Sequence, residues 1–258
     1  MNGKAALIGA TGFVGSYLRS DGGYTHFYNS TNIDDIRGEQ FDRITCAGTS
    51  AVKWRANADP EQDRAGVEKL RAALEQTRAG HFSLVSTVDV FFTPHQVDET
   101  TPVTTTGLHS YGLHRFALEN FVRSHFPHAS ILRLPTIYGP GLKKNPLYDL
   151  LHRHRTDQIP REAVFQWYPV QRLPQDLQRA TEIPLVHLAT EPLPMATFLT
   201  RLFPDQPEAG KAGAAAAYDM RTIHAQKFGG AGHYIADTET VMRDLAAFIK
   251  DSRTALAS

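Results

Sequence analysis

The chain has 258 residues, and its 27 Lys and Arg residues balance 27 Asp and Glu residues. This length is enough for one α/β sheet with helices on both faces, and a neutral chain has no strong field that would draw it to nucleic acid or to an anionic membrane. One cysteine excludes an internal disulfide framework, and no apolar run approaches the length of a membrane span. We therefore expect a small-molecule partner. We also expect a cytoplasmic protein, because the first predicted strand begins too close to Met1 for a secretion signal.

Three glycines follow the first apolar run of the chain. Ala5 to Ile8 is short enough to be one buried strand, and Gly9, Gly12 and Gly15 then lead into a segment of helical character. Glycine lets the backbone turn sharply and approach a ligand, while the start of a helix offers free N–H groups to a pyrophosphate. The pattern predicts a dinucleotide site, although an ordinary strand-to-helix turn also uses glycine.

The end of the second predicted strand, Thr25 to Asn29, bears on the choice between NAD and NADP. An acidic residue at this point would favour NAD, because it would bind the ribose hydroxyls. The chain has Asn29 there and no acidic residue through Asn32, and Arg19 could reach a 2′-phosphate. The sequence therefore favours NADP, with a solvated helix residue as the other interpretation of Arg19.

Two hydroxyl residues end the fourth predicted strand, His81 to Thr87. Ligands bind at the carboxyl edge of parallel sheets, so Ser86 and Thr87 are placed for chemistry. The alternative is that they cap the turn that follows.

A predicted helix that begins at Ser110 carries Tyr111 and Arg115 on one face, since the two are four residues apart. A loop from Phe92 to Leu108 precedes it, and loops of this length are usually functional or mobile. A tyrosine that exchanges protons near neutral pH needs its pKa lowered by about 3 from its ordinary value near 10. We expect the charge of Arg115 to supply part of this decrease.

Together these motifs resemble those of the extended short-chain dehydrogenase/reductase superfamily, and within it the NAD-dependent epimerase/dehydratase family that acts on nucleotide sugars. The motifs that carry the resemblance are Gly9/Gly12/Gly15, Ser86-Thr87 followed by Val90-Phe91, Tyr111 with Arg115, and Arg133 to Gly141. The resemblance implies a Rossmann-type, doubly wound parallel sheet with a smaller C-terminal substrate lobe. We expect one domain over residues 1–258, with residues 1–140 mainly for the dinucleotide and residues 141–258 mainly for the substrate. Gln206 to Ala217 has the composition of a linker.

The resemblance also implies catalytic roles. Thr87, or alternatively Ser86, polarises the sugar oxygen, Tyr111 transfers the proton, and Arg115 stands where the family has a lysine that binds the nicotinamide ribose. Arginine keeps the charge of lysine but replaces a compact ammonium with a planar fork. A catalytically silent protein that binds a nucleotide or a partner is therefore the alternative to an enzyme.

Binding residues follow from the same resemblance. The residues expected to bind NADP or NAD are Gly9, Thr11, Gly12, Phe13, Val14, Gly15, Arg19, Asn29 and Ala47. Those expected to bind a nucleotide-linked sugar are Lys143, Asn145 and Gln166. The reaction is either epimerisation or reduction of the sugar. We expect no metal and no nucleic-acid partner, and a homodimer formed by the helices near residues 60–77 and 110–125.

Overall fold

The structure is a computed structural model that describes residues 3–206, 208–210 and 216–257. The described strands are β1 (Ala5–Ile8), β2 (His26–Tyr28), β3 (Gln40–Cys46), β4 (Arg78–Thr87), β5 (His95–Val97), β6 (Ala129–Leu134), β7 (Thr136–Tyr138), β8 (Val164–Phe165), β9 (Trp167–Pro169), β10 (Leu185–His187), β11 (Leu193–Pro194) and β12 (Asp219–Met220). The described α-helices are α1 (Phe13–Asp21), α2 (Lys53–Ala58), α3 (Pro60–Leu74), α4 (Ser110–His125), α5 (Pro146–Leu151), α6 (Leu173–Arg179), α7 (Met195–Leu202) and α8 (Thr238–Ala257). None of these helices combines the length and the apolar character that crossing a membrane requires. Within the described ranges, no group of three or more His, Cys, Asp or Glu side chains could hold a metal ion.

A six-stranded parallel sheet forms the centre of the fold, in the order β10-β6-β4-β3-β1-β2. All four residues of β1 are buried, which explains why this strand reads as a continuous apolar run. The chain passes from β1 to β2 on one side and then crosses to β3 on the other side of β1. The strand order therefore reverses between β1 and β3, where doubly wound sheets bind ligands. The predicted Rossmann-type, doubly wound fold is confirmed.

The chain divides into two compact units, and the first holds five complete strands of the sheet. It comprises Met1–Phe92, Pro102–Leu134 and Arg172–Val186. Its core joins the sheet to α3 and α4, which contribute apolar side chains spaced three or four residues apart. The core residues from these elements include Ile44, Phe82, Val67, Leu70, Leu74, Leu118 and Val122.

The second unit is smaller and comprises Thr93–Thr101, Pro135–Gln171 and His187–Ser258. Three two-stranded ladders lie in it: β7 pairs with β9 in parallel, β8 pairs with β11 antiparallel, and β5 pairs with β12 in parallel. The rings of Trp167 and Phe198 stack in its core at 5.0 Å between centroids. The prediction of a single domain divided near residue 140 stays a prediction, and the expected linker from Gln206 to Ala217 lies partly outside the described residues.

The segment expected to be a loop between Phe92 and Leu108 contains β5, which pairs with β12 near the end of the chain. The Glu99 carboxylate accepts hydrogen bonds from the Thr222 hydroxyl at 2.6 Å and from the Ile223 N–H at 2.9 Å. These bonds join segments more than a hundred residues apart in the sequence. The loop is therefore partly ordered by residues that no local pattern identifies.

Candidate functional site

The turn after β1 brings the ends of β1 and β3 together. Gly9 has φ of +86°, and its N–H donates to the Tyr28 carbonyl at 2.8 Å. A Cβ at Gly9 would lie 2.3 Å from the Ala47 carbonyl oxygen, which follows β3 directly. Only glycine fits a backbone of this conformation at this distance. Two residues predicted to bind the cofactor, Gly9 and Ala47, are thus neighbours at the point where the strand order reverses.

The two remaining glycines of the motif have different surroundings. A Cβ at Gly15 would lie 1.9 Å from the Gly9 carbonyl oxygen, so the packing of α1 on the turn requires glycine there. At Gly12, the N-terminal cap of α1, the nearest atom to a Cβ would be 3.4 Å away. The protein itself does not need glycine at this position. The first turn of α1, which begins with Phe13 and Val14, has no acidic residue, so its unpaired N–H groups suit an anion.

Polar side chains organise the loop after β2. The Asn29 side-chain oxygen accepts from the N–H and the hydroxyl of Thr31 at 2.8 and 2.6 Å, and the Asn29 N–H donates to the Asn32 side chain at 2.7 Å. The guanidinium of Arg19 lies over the Phe27 ring, 4.8 Å from its centroid. The structure therefore places Arg19 beside β2, while Thr11 is exposed on the turn after β1.

Two hydrogen bonds fix the start of α4. The Tyr111 N–H donates to the Asn57 side chain of α2 at 3.0 Å, and the His109 ring caps α4 by accepting from the Gly112 N–H at 3.0 Å. The Tyr111 phenol also interacts with the Thr87 side chain at the end of β4. The structure thus brings together two of the residues predicted to act in catalysis.

The pKa of the Tyr111 phenol is raised to about 12, mainly by burial and to a smaller extent by the carboxylates of Asp89 and Asp63. The charge of Arg115 and the Thr87 side chain lower the pKa, but burial outweighs them. Only 8% of Tyr111 is exposed, and a charged phenolate is costly without water. The lowering by Arg115 agrees with the sequence prediction, whereas the burial of Tyr111 could not be estimated from the sequence.

Arg115 is held by several partners inside the first unit. Its guanidinium donates hydrogen bonds to the Asp63 carboxylate and to the Ser50 carbonyl. It also lies over the Tyr111 ring, 4.1 Å from the centroid. The Arg115 Nε is buried with no hydrogen-bond partner among the described residues. The Arg115 guanidinium, which we expect from the sequence to face the ligand, instead joins α3 to α4.

Ser86 and Thr87 lie on opposite faces of β4, as neighbouring strand residues do. The Ser86 hydroxyl donates to the Glu119 carboxylate at 2.6 Å, and Arg133 binds both oxygens of that carboxylate at 3.0 and 2.7 Å. Glu119 is fully buried. Ser86 thus belongs to a buried polar cluster, whereas Thr87 is beside Tyr111.

Two charged residues near Tyr111 were not identified from the sequence. The Asp89 N–H donates to the Thr87 hydroxyl at 3.1 Å, and the Asp89 carboxylate forms an ion pair with the Lys53 ammonium at 2.7 Å. Asp89 lies inside the motif that runs from Thr87 to Phe91, so its position in that motif could have identified it as a site residue. Lys53 begins α2, and nothing in its local sequence links it to Tyr111.

The residues predicted to bind the substrate lie in the second unit. Asn145 caps α5 by accepting from the Tyr148 N–H at 3.0 Å, and its amide donates to the Ile137 carbonyl at 2.9 Å. Lys143 is exposed. The fully buried Gln166 amide donates to the carbonyls of Thr190 and Met220 and accepts from the Met220 N–H. A direct contact between Gln166 and a substrate stays a prediction that these bonds do not favour.

No protein-family model matches the chain, and no curated protein matches it. The chain does match solved structures. MoeE5 in complex with UDP-glucose and NAD has a TM-score of 0.75 at 15% sequence identity, covering 98% of this chain and 100% of that one. UDP-glucose 4-epimerase from Thermotoga maritima, with UDP-glucose, has a TM-score of 0.73 at 13% identity, covering 98% and 99%. The dTDP-4-dehydrorhamnose reductase from Bacillus anthracis, with NADP, has a TM-score of 0.72 at 14% identity, covering 97% and 99%.

The chain shares its fold with nucleotide-sugar epimerases and reductases. Nearly the full length of each chain is aligned, so the likeness extends over both compact units. The fold that the sequence motifs implied is thus confirmed. Identities this low establish the fold and leave the reaction to be argued from the site.

Proposed function

We propose that the protein is an NAD(P)-dependent enzyme that acts on a nucleotide-linked sugar. The placement of Tyr111 beside Thr87, which ends β4 at the carboxyl edge of the sheet, carries this proposal. The same unit holds the glycine turn between β1 and β3. The ligands named for structures of the same fold, UDP-glucose with NAD and NADP alone, support the choice of cofactor and substrate class.

The turn after β1 fits a dinucleotide. Gly12 leaves a space that a Cβ would fill, and the first N–H groups of α1 lie beside it without a competing carboxylate. Gly9, Thr11, Phe13, Val14, Gly15 and Ala47 would form the rest of this cradle. A nicotinamide dinucleotide bound there would supply and accept hydride.

The proposed task of the chain's own residues is to orient the sugar oxygen and to move its proton. Thr87 would donate a hydrogen bond to that oxygen, and Tyr111 would exchange a proton with it. Because its pKa is near 12, Tyr111 is protonated at neutral pH and acts first as a proton donor. Lys143 and Asn145 would contribute to substrate binding in the second unit, with Gln166 as the third predicted residue.

Two finer features belong to the same proposal. NADP is preferred over NAD, because Arg19 is available beside β2 and the loop that begins at Asn29 has no acidic residue through Asn32. The protein forms a homodimer through α3 and α4, and the exposed side chain of Leu113 on α4 supports this surface. Sedimentation that finds only monomer at micromolar concentration would contradict the dimer.

A catalytically silent nucleotide-binding or interaction protein is the second candidate, and the engagement of Arg115 favours it. The guanidinium is bound to Asp63 and Ser50, so it does not stand free as the family's lysine does. If this candidate is correct, the protein binds a nucleotide or a partner but turns over no nucleotide sugar.

Mass spectrometry of the nucleotide released from freshly purified protein is the first test. Stoichiometric NAD would indicate an epimerase that keeps its cofactor and would contradict the preference for NADP. An empty protein that binds NADPH reversibly would indicate a reductase. Binding of neither would favour the silent candidate.

Turnover of a nucleotide sugar would exclude the silent candidate. Once turnover is found, replacement of Tyr111 tests whether this residue is the proton donor. Tyr111→Phe should abolish turnover, and Tyr24→Phe should not, because the Tyr24 hydroxyl bonds to Thr45 within the sheet. Undiminished turnover by Tyr111→Phe would contradict the proposed proton transfer.

A further inference from the structure

The cation four residues after Tyr111 is not available to a ligand. Arg115 is only 3% exposed, and its two terminal nitrogens are bound to Asp63 and Ser50. It could turn away only by leaving the buried Asp63 carboxylate with His114 as its remaining partner, which is costly. Arg115 lowers the pKa of Tyr111 from its place over the ring, while the Asp89 carboxylate raises it. A cation paired with Asp89 would therefore add to the effect of Arg115.

Lys53 is the cation that the structure offers. Its ammonium lies 2.7 Å from the Asp89 carboxylate, and 40% of its side chain is exposed, compared with 16% for Asp89. Asp89 is fixed in turn by Thr87, whose hydroxyl accepts from the Asp89 N–H at 3.1 Å. The Asp89 carbonyl oxygen also packs against the start of α4, 2.0 Å from where a Cβ at Gly112, the residue after Tyr111, would lie. Lys53 is thus linked through Asp89 to the start of α4, where Tyr111 lies, and one side of Lys53 faces solvent.

A second contact places Lys53 near the start of α4. Burial and the charge of Lys53 both lower the pKa of His109, whose ring lies 6.3 Å from the Tyr111 ring. The titratable and charged groups near the start of α4 come from four elements. They are Lys53 of α2, Asp63 of α3, Asp89 of the turn after β4, and His109, His114 and Arg115 at the start of α4.

We propose that Lys53 is the positioning cation of this site: its ammonium holds the Asp89 carboxylate beside Tyr111 and so sets how readily the Tyr111 hydroxyl releases its proton. Asp89 opposes the negative phenolate, and Lys53 offsets Asp89. The inference concerns these residues themselves and gains its catalytic meaning from the proposed function.

Titration of Tyr111 alone tests the proposal without any substrate. Position 111 is replaced by 3,5-difluorotyrosine, whose phenol is more acidic than that of tyrosine, and its ionisation is followed by ¹⁹F NMR while the protein stays folded. Lys53→Met should raise the pKa of this residue by about 1, because Asp89 is left without its counter-charge. Asp89→Asn should lower the pKa by a similar amount, and Lys53→Arg should restore the value of the parent protein.

Lys4→Met is the matched control. Lys4 is also partly exposed and paired with one carboxylate, that of Glu39, but it precedes β1 and so lies at the amino end of that strand. Its loss should leave the titration unchanged. If Lys53→Met titrates like the parent protein, or if Lys53→Arg does not restore the parent pKa, the proposal is wrong.

The outcome is separable from that of the proposed function. Full turnover by Tyr111→Phe would overturn the proposed proton transfer by Tyr111 and leave the titration to decide the role of Lys53. Loss of turnover in Tyr111→Phe, together with an unchanged titration in Lys53→Met, would overturn only the inference about Lys53.

Discussion

The guanidinium carbon of Arg115 lies 4.1 Å from the centre of the Tyr111 ring, over its face, while the charge is paired with Asp63. A cation over an aromatic face is attracted to the ring and leaves the hydroxyl edge to other partners. Burial raises the pKa of Asp63, but the hydrogen bonds from Arg115 and His114 outweigh burial and lower it below its ordinary value. This buried cluster links α3 to α4, so Arg115 takes part in the packing of the first unit.

We predict that Arg115→Met destabilises the protein by about 3 kcal/mol or more, because the Asp63 carboxylate stays buried without its main partner. Asp63→Asn added to that variant should recover part of the loss, since the charge is then removed. Urea unfolding of the two single variants and the double variant measures this coupling. Arg64→Met is the control, because the Arg64–Glu61 pair is exposed and should be worth at most about 0.5 kcal/mol. A loss below about 1 kcal/mol in Arg115→Met would contradict the prediction.

The stabilisation that Asp63 provides should depend on pH. Its pKa in the folded protein is below its ordinary value of 3.8, so the folded state binds this proton more weakly than the unfolded state does. The stability advantage of the parent protein over Asp63→Asn should therefore be fully present above 3.8 and decline as the pH falls below it. Unfolding free energies of both proteins from pH 6 to pH 2.5 test this. A difference that stays constant over this range would exclude the ion pair as its source.

The parts of the fold predicted from sequence are those set by local patterns. The buried run of β1, the glycines after it and the apolar spacing in α3 depend on residues within one element, and the structure has each of them. The ordering of β5 was missed because its partner, β12, is over a hundred residues away. Three-residue strands carry too little alternation to be recognised without that partner.

In the candidate site too, the features set by local motifs were predicted and those set by distant partners were not. The positions of Thr87 and Tyr111 followed from motifs, but the environments of Ser86 and Arg115 depend on Glu119, further along α4, and on Asp63 of α3. Burial of these groups is a tertiary property. Arg115 lowers the pKa of Tyr111 as predicted, but the opposing effect of burial could not be estimated from the sequence.

We predict that removal of the Thr87 hydroxyl lowers activity, whereas removal of the Ser86 hydroxyl lowers stability. Thr87→Val should reduce kcat by about 100-fold or more, because it removes the hydroxyl proposed to bond to the sugar oxygen beside Tyr111. Ser86→Ala should keep turnover and cost about 1 to 3 kcal/mol of stability, because Glu119 loses one of its buried donors. Thr87→Ser is the control that keeps the hydroxyl and should retain most of the activity. Steady-state kinetics and urea unfolding on all three variants decide the matter, and equal loss of activity from both hydroxyls would refute the distinction.

We predict that alanine substitutions at two glycines of the first turn have different effects, one on folding and the other on cofactor binding. Gly15→Ala should destabilise the protein severely, because its Cβ would lie 1.9 Å from the Gly9 carbonyl oxygen and the backbone there cannot give way. Gly12→Ala should cost only about 1 kcal/mol or less, since φ of −76° suits alanine and the nearest atom is 3.4 Å from the new Cβ.

The same methyl group at Gly12 should nevertheless weaken dinucleotide binding by roughly tenfold or more, a loss of about 1.4 kcal/mol or greater, because it fills the space proposed for the pyrophosphate. Fluorescence titration with NADPH and NADH measures the affinity, and urea unfolding measures the fold. Gly66→Ala, at an open position on α3, is the matched control and should change neither affinity. A folded Gly12→Ala protein with unchanged affinity for both nucleotides would exclude this turn as the binding site.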